Sequence, residues 1–323
     1  MVASGDSMKS ANINFAKNHQ DNYFKVAVLI PCYNESSTIA SVVGSFSKQL
    51  PNATIYVYDN DSEDGSAEIA KKAGAIVMSE QNRGKGNVVR KMFSEIDADI
   101  YIIADGDSTY APEDAPKMIN LLINEKVDMV VAVRKEESEK AFRNGHKIGN
   151  KLFNFMLKIL FNSTFNDVFS GYRAFSRRFV KTFPIAASGF DIEAELSIHA
   201  LTLSIPFTEM ESIYTRRPEN SHSKLSTISD GFKILFSIIR LLKETRPMFF
   251  FGTISLVLCL LACSIAFSVI LTFLETGVMA RLPIVALSFG IMMISFLSLT
   301  CGIILDSISE ARKEMKRLHY LRI

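Results

Sequence analysis

Two uncharged apolar stretches, Met248 to Leu274 and Leu282 to Leu305, constrain this chain more than any other feature. Each exceeds the roughly 20 apolar residues that span a hydrocarbon core of about 30 Å, and only Glu275 to Arg281 separates them. Soluble helices of this length alternate apolar with charged faces, and these stretches carry no charge at all. They predict a membrane hairpin, so whatever precedes them works at a membrane surface.

The cations set an orientation. Arg240, Lys243 and Arg246 precede the first stretch, Arg312, Lys313, Lys316, Arg317 and Arg322 follow the second, and the connecting loop balances Arg281 against Glu275. The positive-inside bias then predicts a multi-pass protein of the cytoplasmic membrane with both ends cytoplasmic. Residues 1–24 include Asp6, Lys9, Lys17 and Asp21 and lack the apolar core of a secretion signal, so they read as a polar leader. Residues 25–228 form the expected catalytic domain, 229–246 a bridge, 247–305 the two spans and 306–323 a basic cytoplasmic tail. In the bridge, Phe232, Leu235, Ile239 and Leu242 share one helical face and Lys233, Arg240 and Lys243 the other, the pattern of a helix lying among headgroups or packed on a domain.

A formal charge of +2 is too small to argue for a nucleic-acid partner, and the cations near the spans suit anionic lipid instead. Cys259, Cys263 and Cys301 lie in the apolar stretches and Cys32 follows a strand, with no metal or disulfide spacing among them.

Before the hairpin, strands alternate with helices. Lys25 to Ile30 is a β-branched run stopped by Pro31, after which Ser36 or Ser37 can cap a helix through Ile39, Val42, Val43 and Phe46. Further strands are expected at Thr54 to Tyr58, Ala75 to Met78, Asp99 to Ala104 and Asp128 to Val133, and helices at Ser66 to Ala73, Asn87 to Ile96 and Glu113 to Asn124. Repeated β-α units predict a doubly wound, mostly parallel sheet with helices on both faces, which binds ligands at the carboxyl ends of its strands. Those ends are rich in polar groups: Pro31 to Glu35 after strand one, Asp59 to Ser66 after strand two, Asp105-Gly106-Asp107 after strand four and Arg134 after strand five. One acidic turn alone would be an ordinary solvated turn, but here four strand ends share the character.

In order and spacing, Pro31-Cys-Tyr-Asn-Glu35, the acidic turn ending Asp64-Gly-Ser66, the segment Asn82-Arg-Gly-Lys-Gly-Asn-Val88 and Asp105-Gly-Asp107 resemble the signature of family-2 glycosyltransferases of the GT-A fold. The resemblance implies a nucleotide-sugar donor, with Asp59 or Asp61 on the nucleobase and Pro31, Tyr33 and Glu35 lining the nucleotide pocket. Two carboxylates one residue apart at a strand end can hold a hard divalent cation, Mg²⁺ or Mn²⁺, against diphosphate oxygens. Asp107 is the first ligand, and Asp105 shares the metal or touches the ribose. Arg83 and Lys85 either add positive charge beside that pocket or form a solvated basic loop.

Asp167 to Phe175, with Ser170-Gly-Tyr-Arg173, and Arg217 to Lys224 resemble segments of polyprenyl-phosphate sugar transferases such as dolichyl-phosphate mannose synthase and bactoprenol glucosyltransferases. Asn220 and Thr109 depart from that pattern, where relatives often carry Gly and a carboxamide. The resemblance implies a polyprenyl phosphate acceptor, for which Arg134, Arg143, Ser170, Arg173, Arg217 and Lys224 are candidates, with Lys147 near Arg143 and with Arg134 and Arg173 acting beside Asp107 in catalysis. A phosphate monoester is already anionic and needs cations to hold it rather than a base. A hydroxyl acceptor would instead need a carboxylate base, Asp191 or Glu193, residues that also read as the acidic first turn of a helix. His199 and His222 fit no triad. The resemblance implies inverting transfer of one sugar, with UDP favoured over GDP on analogy with the fold. A processive or hydroxyl-directed transferase is the alternative, against which the chain has no Gln-x-x-Arg-Trp segment and no Trp. An inactive membrane scaffold is the other alternative. Relatives with two spans suggest a homo-oligomer.

Overall fold

The computed structural model describes residues 24–136, 154–161, 165–184, 191–215, 239–277 and 282–323. The chain divides into two compact units, one of residues 1–141, 170–187 and 206–222, the other of 142–169, 188–205 and 223–323.

The first unit is a seven-stranded sheet. Its strands are β1 (Val26–Cys32), β2 (Thr54–Asp59), β3 (Ile76–Ser79), β4 (Ile100–Ile103), β5 (Met129–Glu136), β6 (Arg173–Ser176) and β7 (Phe207–Tyr214), in the order β3-β2-β1-β4-β6-β5-β7. Every pairing is parallel except those of β6, which runs antiparallel to both β4 and β5. Helices α1 (Ile39–Gln49), α2 (Ser66–Lys72), α3 (Lys85–Glu95), α4 (Ala115–Asn124) and α5 (Arg177–Thr182) complete it. Alternate strand residues serve opposite faces, the period-2 rule of a pleated strand. Val28, Ile30, Ile100, Ile102, Val130 and Ala132 pack with Phe46 of α1 and Met118 of α4. On the other face Phe93 of α3 meets Tyr101, Phe175 and Phe183 edge to face. Burial on both faces explains why these strands read as unbroken apolar runs.

Three local expectations are revised. Pro31 does not stop β1, which continues to Cys32. The Leu29 carbonyl faces β4, where it accepts from Ala104 N, so the missing N–H of Pro31 points the same way but beyond the last paired residue of β4. Helix α1 starts at Ile39 after Thr38, not after Ser36 or Ser37. Thr38 Oγ1 donates to the Gly106 carbonyl at 2.7 Å, tying the helix start to the end of β4. Finally, β5 runs two residues past Arg134, which pairs with Ser212 inside the ladder instead of ending the strand.

In the second unit, α6 (Ile192–Leu203) and helical residues 154–161 and 239–245 accompany two long helices, α7 (Pro247–Thr276) and α8 (Leu282–Arg322). Both are long and apolar enough to cross a membrane, and only 11% of each apolar window is buried, so neither is a core helix of this chain. Their mutual contact is a heptad seam of small or slender residues: Ser255, Ala262 and Val269 on α7, Ser288, Ser295 and Gly302 on α8. Ser255 and Ser295 hydroxyls lie 3.0 Å apart, Ser295 Oγ donates to the Ser255 carbonyl and Ser298 Oγ to that of Phe251. A Cβ on Gly302 would sit 3.1 Å from Phe251 Cβ. Small residues let two apolar helices approach without a hydrophobic drive between them.

Beyond the apolar stretch α8 continues as one helix to Arg322, where a tail was expected. This extension packs on α6, and burial, with Lys316 nearby, lowers the pKa of His199 to about 3. In the bridge the protein-facing residues are Leu241 and Thr245, while Ile239, expected on the shared apolar face with Leu242, is exposed; Phe232, Lys233 and Leu235 lie outside the described residues.

Candidate active site

At the carboxyl edge of the sheet, the loop after β1 is stitched to the acidic turn after β2. Asn34 N donates to Ser62 Oγ, Glu63 N to Asn34 Oδ1, Glu35 N to Ser66 Oγ and Ser36 N to Asp64 Oδ2, each at 2.9 Å. Burial alone would raise the Asp64 pKa, but the Ser66 hydroxyl and N–H, which donate to its Oδ1, and the Ser36 N–H outweigh it and hold it below the usual range. Asp64 is thus a fastener. Asp61, at φ 64°, pairs with Arg83 at 3.0 Å, and that guanidinium lies 5.4 Å over the Tyr33 ring. Asp59 differs from both. Its Oδ2 accepts from Ser62 N, while Oδ1 is buried with no hydrogen-bond partner among the described residues. A buried carboxylate oxygen left unpaired is costly unless a ligand supplies a donor. Burial pushes the neighbouring Cys32 thiol up to about 12, so it stays a neutral packing group.

Asn60, which no sequence signal separates from its acidic neighbours, positions the next loop. Its amide donates to the carbonyls of Glu80 and Asn82 and its Oδ1 accepts from Gly84 N at 2.7 Å. Gly84 adopts φ 123°, a conformation side chains disfavour, and the chain turns there into α3 with Lys85 as its first residue.

Lys85 Nζ reaches Asp105 Oδ1 at 2.5 Å. Two residues on, Asp107 is 1% exposed, and its Oδ1 accepts from both Thr109 N, at 3.1 Å, and Thr109 Oγ1, at 2.6 Å. Thr109, a departure from the family pattern, therefore orients the carboxylate. No third His, Cys, Asp or Glu gathers beside this pair among the described residues. Two carboxylates suit Mg²⁺ or Mn²⁺, which keep waters and take substrate phosphate oxygens for their remaining positions.

Gly171 closes over the same point: a Cβ there would lie 3.0 Å from Asp105 Oδ2 and 3.1 Å from Lys85 Nζ. Its N–H donates to Tyr110 Oη at 2.9 Å, and Tyr110 packs edge to face on Tyr214, over whose ring the Arg134 guanidinium lies at 5.6 Å. Burial raises the Tyr110 pKa, with Asp105 adding to it and Arg134 and Lys85 opposing, so this neutral phenol sits within reach of all three charges. The sequence reading missed Tyr110 and Tyr214, since lone tyrosines near strand ends carry no distinguishing pattern.

Ser170 and Arg173 face inward, where an acceptor phosphate had been expected on them. Ser170 Oγ donates to the Ala132 carbonyl, and Arg173, 1% exposed, donates Nε to the Ser170 carbonyl at 2.8 Å. They brace the segment that carries Gly171. Asp191 and Glu193 belong to the second unit, at the cap and first turn of α6. Arg143, Lys147, Arg217, Asn220, His222 and Lys224 lie outside the described residues.

The family model for glycosyl transferase family 2 matches residues 27–183. The glycosyltransferase AglJ of Haloferax volcanii is 31% identical over 92% of this chain and 98% of its own length. A UDP-N-acetylglucosamine–dolichyl-phosphate N-acetylglucosaminyltransferase of Methanococcus voltae is 28% identical over 67% of this chain and 95% of its own. Among solved structures, glucosyl-3-phosphoglycerate synthase of Mycobacterium tuberculosis, crystallised with Mn²⁺ and UDP, has the same fold at 21% identity and a TM-score of 0.57, over 75% of this chain and 85% of that one. With a relative at this identity over 98% of its length and the family model matching residues 27–183, the chain belongs to glycosyl transferase family 2.

Proposed function

We propose that the chain transfers one sugar, with inversion, from a nucleotide-diphosphate sugar to a polyprenyl phosphate at the cytoplasmic face of a membrane that its hairpin crosses, both ends remaining cytoplasmic. One observation carries the reading: Gly171, in the segment that resembles acceptor-side sequence, lies against Asp105 and Lys85 of the donor edge. Donor and acceptor chemistry thereby fall within a few ångströms. The dolichyl-phosphate relative supports a lipid phosphate acceptor and UDP over GDP.

Asp59 Oδ1 accepts an N–H of the nucleobase, filling its orphaned valence, and Pro31, Tyr33 and Glu35 border the nucleotide. Asp105 and Asp107 hold Mg²⁺ or Mn²⁺, which when bound neutralises charge developing on the leaving diphosphate; the solved relative with Mn²⁺ and UDP supports that pairing. Lys85 adds a cation on the same side. Arg134, fixed by Tyr214, holds the acceptor phosphate with Arg143, Arg217 and Lys224, and Arg173 keeps Gly171 in place from behind. An anionic phosphate attacks the anomeric carbon without a base, so Glu193 has no proton to move.

Replacing Arg134 with Ala should therefore raise the KM for polyprenyl phosphate about a hundredfold while donor affinity stays within about twofold, and Glu193→Gln should keep most of the rate. Loss of activity in Glu193→Gln alongside an active Arg134→Ala would favour a hydroxyl acceptor.

A further inference from the structure

The Lys85–Asp105 pair is unlike the Arg83–Asp61 pair on the same edge. Arg83 and Asp61 are 56% and 63% exposed, a screened surface contact, whereas Lys85 and Asp105 are 31% and 27% exposed. The second pair also occupies space that a side chain on residue 171 would fill. Its backbone is held on both sides, by the three Asn60 bonds around Gly84 and by the Gly171 N–H on Tyr110.

An ammonium 2.5 Å from Asp105 Oδ1 occupies the place where a divalent cation would approach that oxygen. We propose that Lys85 is the resident counter-cation of this site: it neutralises Asp105 while the donor is absent, and passes to the donor diphosphate when a divalent cation and nucleotide bind together. The proposal rests on reading Asp105 and Asp107 as the metal carboxylates. The charge count supports it. Two carboxylates and a sugar-nucleotide diphosphate carry four negative charges against two on the cation, and the lysine reduces the remaining excess from two to one. Without nucleotide, the displaced ammonium gives up Asp105 with no diphosphate in exchange, so the metal alone binds weakly. Metal and nucleotide then bind with mutual reinforcement, equal in both directions by linkage.

The test is Mn²⁺ binding to the purified full chain, followed by the electron paramagnetic resonance signal of free Mn²⁺, with and without UDP. Lys85→Met should tighten Mn²⁺ binding without UDP about tenfold, the effect expected on removing an opposite charge from beside a carboxylate. It should shrink the UDP-induced gain in Mn²⁺ affinity by a similar factor. Lys85→Arg, which keeps the charge, should stay within about threefold of the unaltered chain. Unchanged or weaker Mn²⁺ binding in Lys85→Met overturns the proposal. Loss of Mn²⁺ binding in Asp107→Asn shows that the metal reading stands independently; equal binding by the unaltered chain, Asp105→Asn and Asp107→Asn removes that reading and the proposal with it.

Discussion

At the sheet edge, Ser62, Ser66, Asn34 and Asp64 bond across two loops and leave Asp59 Oδ1 unfilled; in the hairpin, Ser255, Ser295 and Ser298 bond one another and backbone carbonyls across the pair, and the outward hydroxyls of Thr253, Ser264 and Thr300 turn back onto carbonyls of their own helix. Both regions spend polar side chains on structure, yet toward opposite ends. The first satisfies its loops internally and leaves one buried carboxylate oxygen, Asp59 Oδ1, without a hydrogen bond among the described residues. The second satisfies its hydroxyls on backbone carbonyls, within a helix or across the pair, as an apolar surrounding would require. Each also turns on a glycine at a close approach, Gly171 against a charged pair and Gly302 against a neighbouring helix. Identity of the charged groups should govern chemistry, and smallness should govern the hairpin.

Four perturbations can break that contrast. The largest effect is expected from Asp107→Asn, which removes a buried carboxylate already oriented by Thr109. Transfer should fall about a thousandfold or more, with thermal unfolding little changed, and chelation of divalent cations should reproduce the loss. Gly302→Leu comes next. Its side chain would enter a contact where even Cβ stands 3.1 Å from Phe251, so the hairpin should lose about 1–3 kcal/mol, read as a lower unfolding temperature in detergent with UDP affinity unchanged. A loss of UDP affinity in that variant would contradict the separation.

Acid provides a third test, confined to the second unit. His199 has a pKa of about 3 in the folded chain against the ordinary 6.5, so the folded state favours the neutral ring. The stability this contributes is complete above pH 6.5 and drains away as pH falls toward 3. From pH 7 to pH 5 the loss should be about 2 kcal/mol, and His199→Leu should flatten it. A wild-type unfolding temperature insensitive to that change would show that His199 is not buried as described. Smallest of all, Ser295→Ala should cost about 0.6 kcal/mol, the scale of an interhelical hydrogen bond in a membrane, and transfer should be unaffected.

The sheet was legible in the sequence because both-face burial writes β-branched runs, and the edge because ligand loops concentrate acids and amides. The antiparallel strand β6 was not, since Arg173-Ala-Phe-Ser176 is four residues long and begins with a charge. Within the acidic turn, Asp59, Asn60, Asp61 and Asp64 look alike as turn formers, and only their partners reveal one orphaned acceptor, one loop staple, one surface pair and one fastener. Arg173 reads as a phosphate ligand in sequence because exposed and buried arginines share a letter; the fold places it at 1% exposure with Nε on the Ser170 carbonyl. In the hairpin, length and apolarity announced the helices, while the seam at Ser255, Ala262 and Val269 lay hidden among equally apolar neighbours.

The proposed function has the edge of the first unit join a sugar to a lipid phosphate rather than to a hydroxyl. Purified full-length protein, Mn²⁺ and a panel of UDP- and GDP-sugars should be incubated in parallel with undecaprenyl phosphate and with undecaprenol, and each lipid product identified by mass. The expected outcome is one hexose added to undecaprenyl phosphate, from a UDP donor, and no product from the alcohol. A glycosylated alcohol, or a ladder of added sugars, would contradict it.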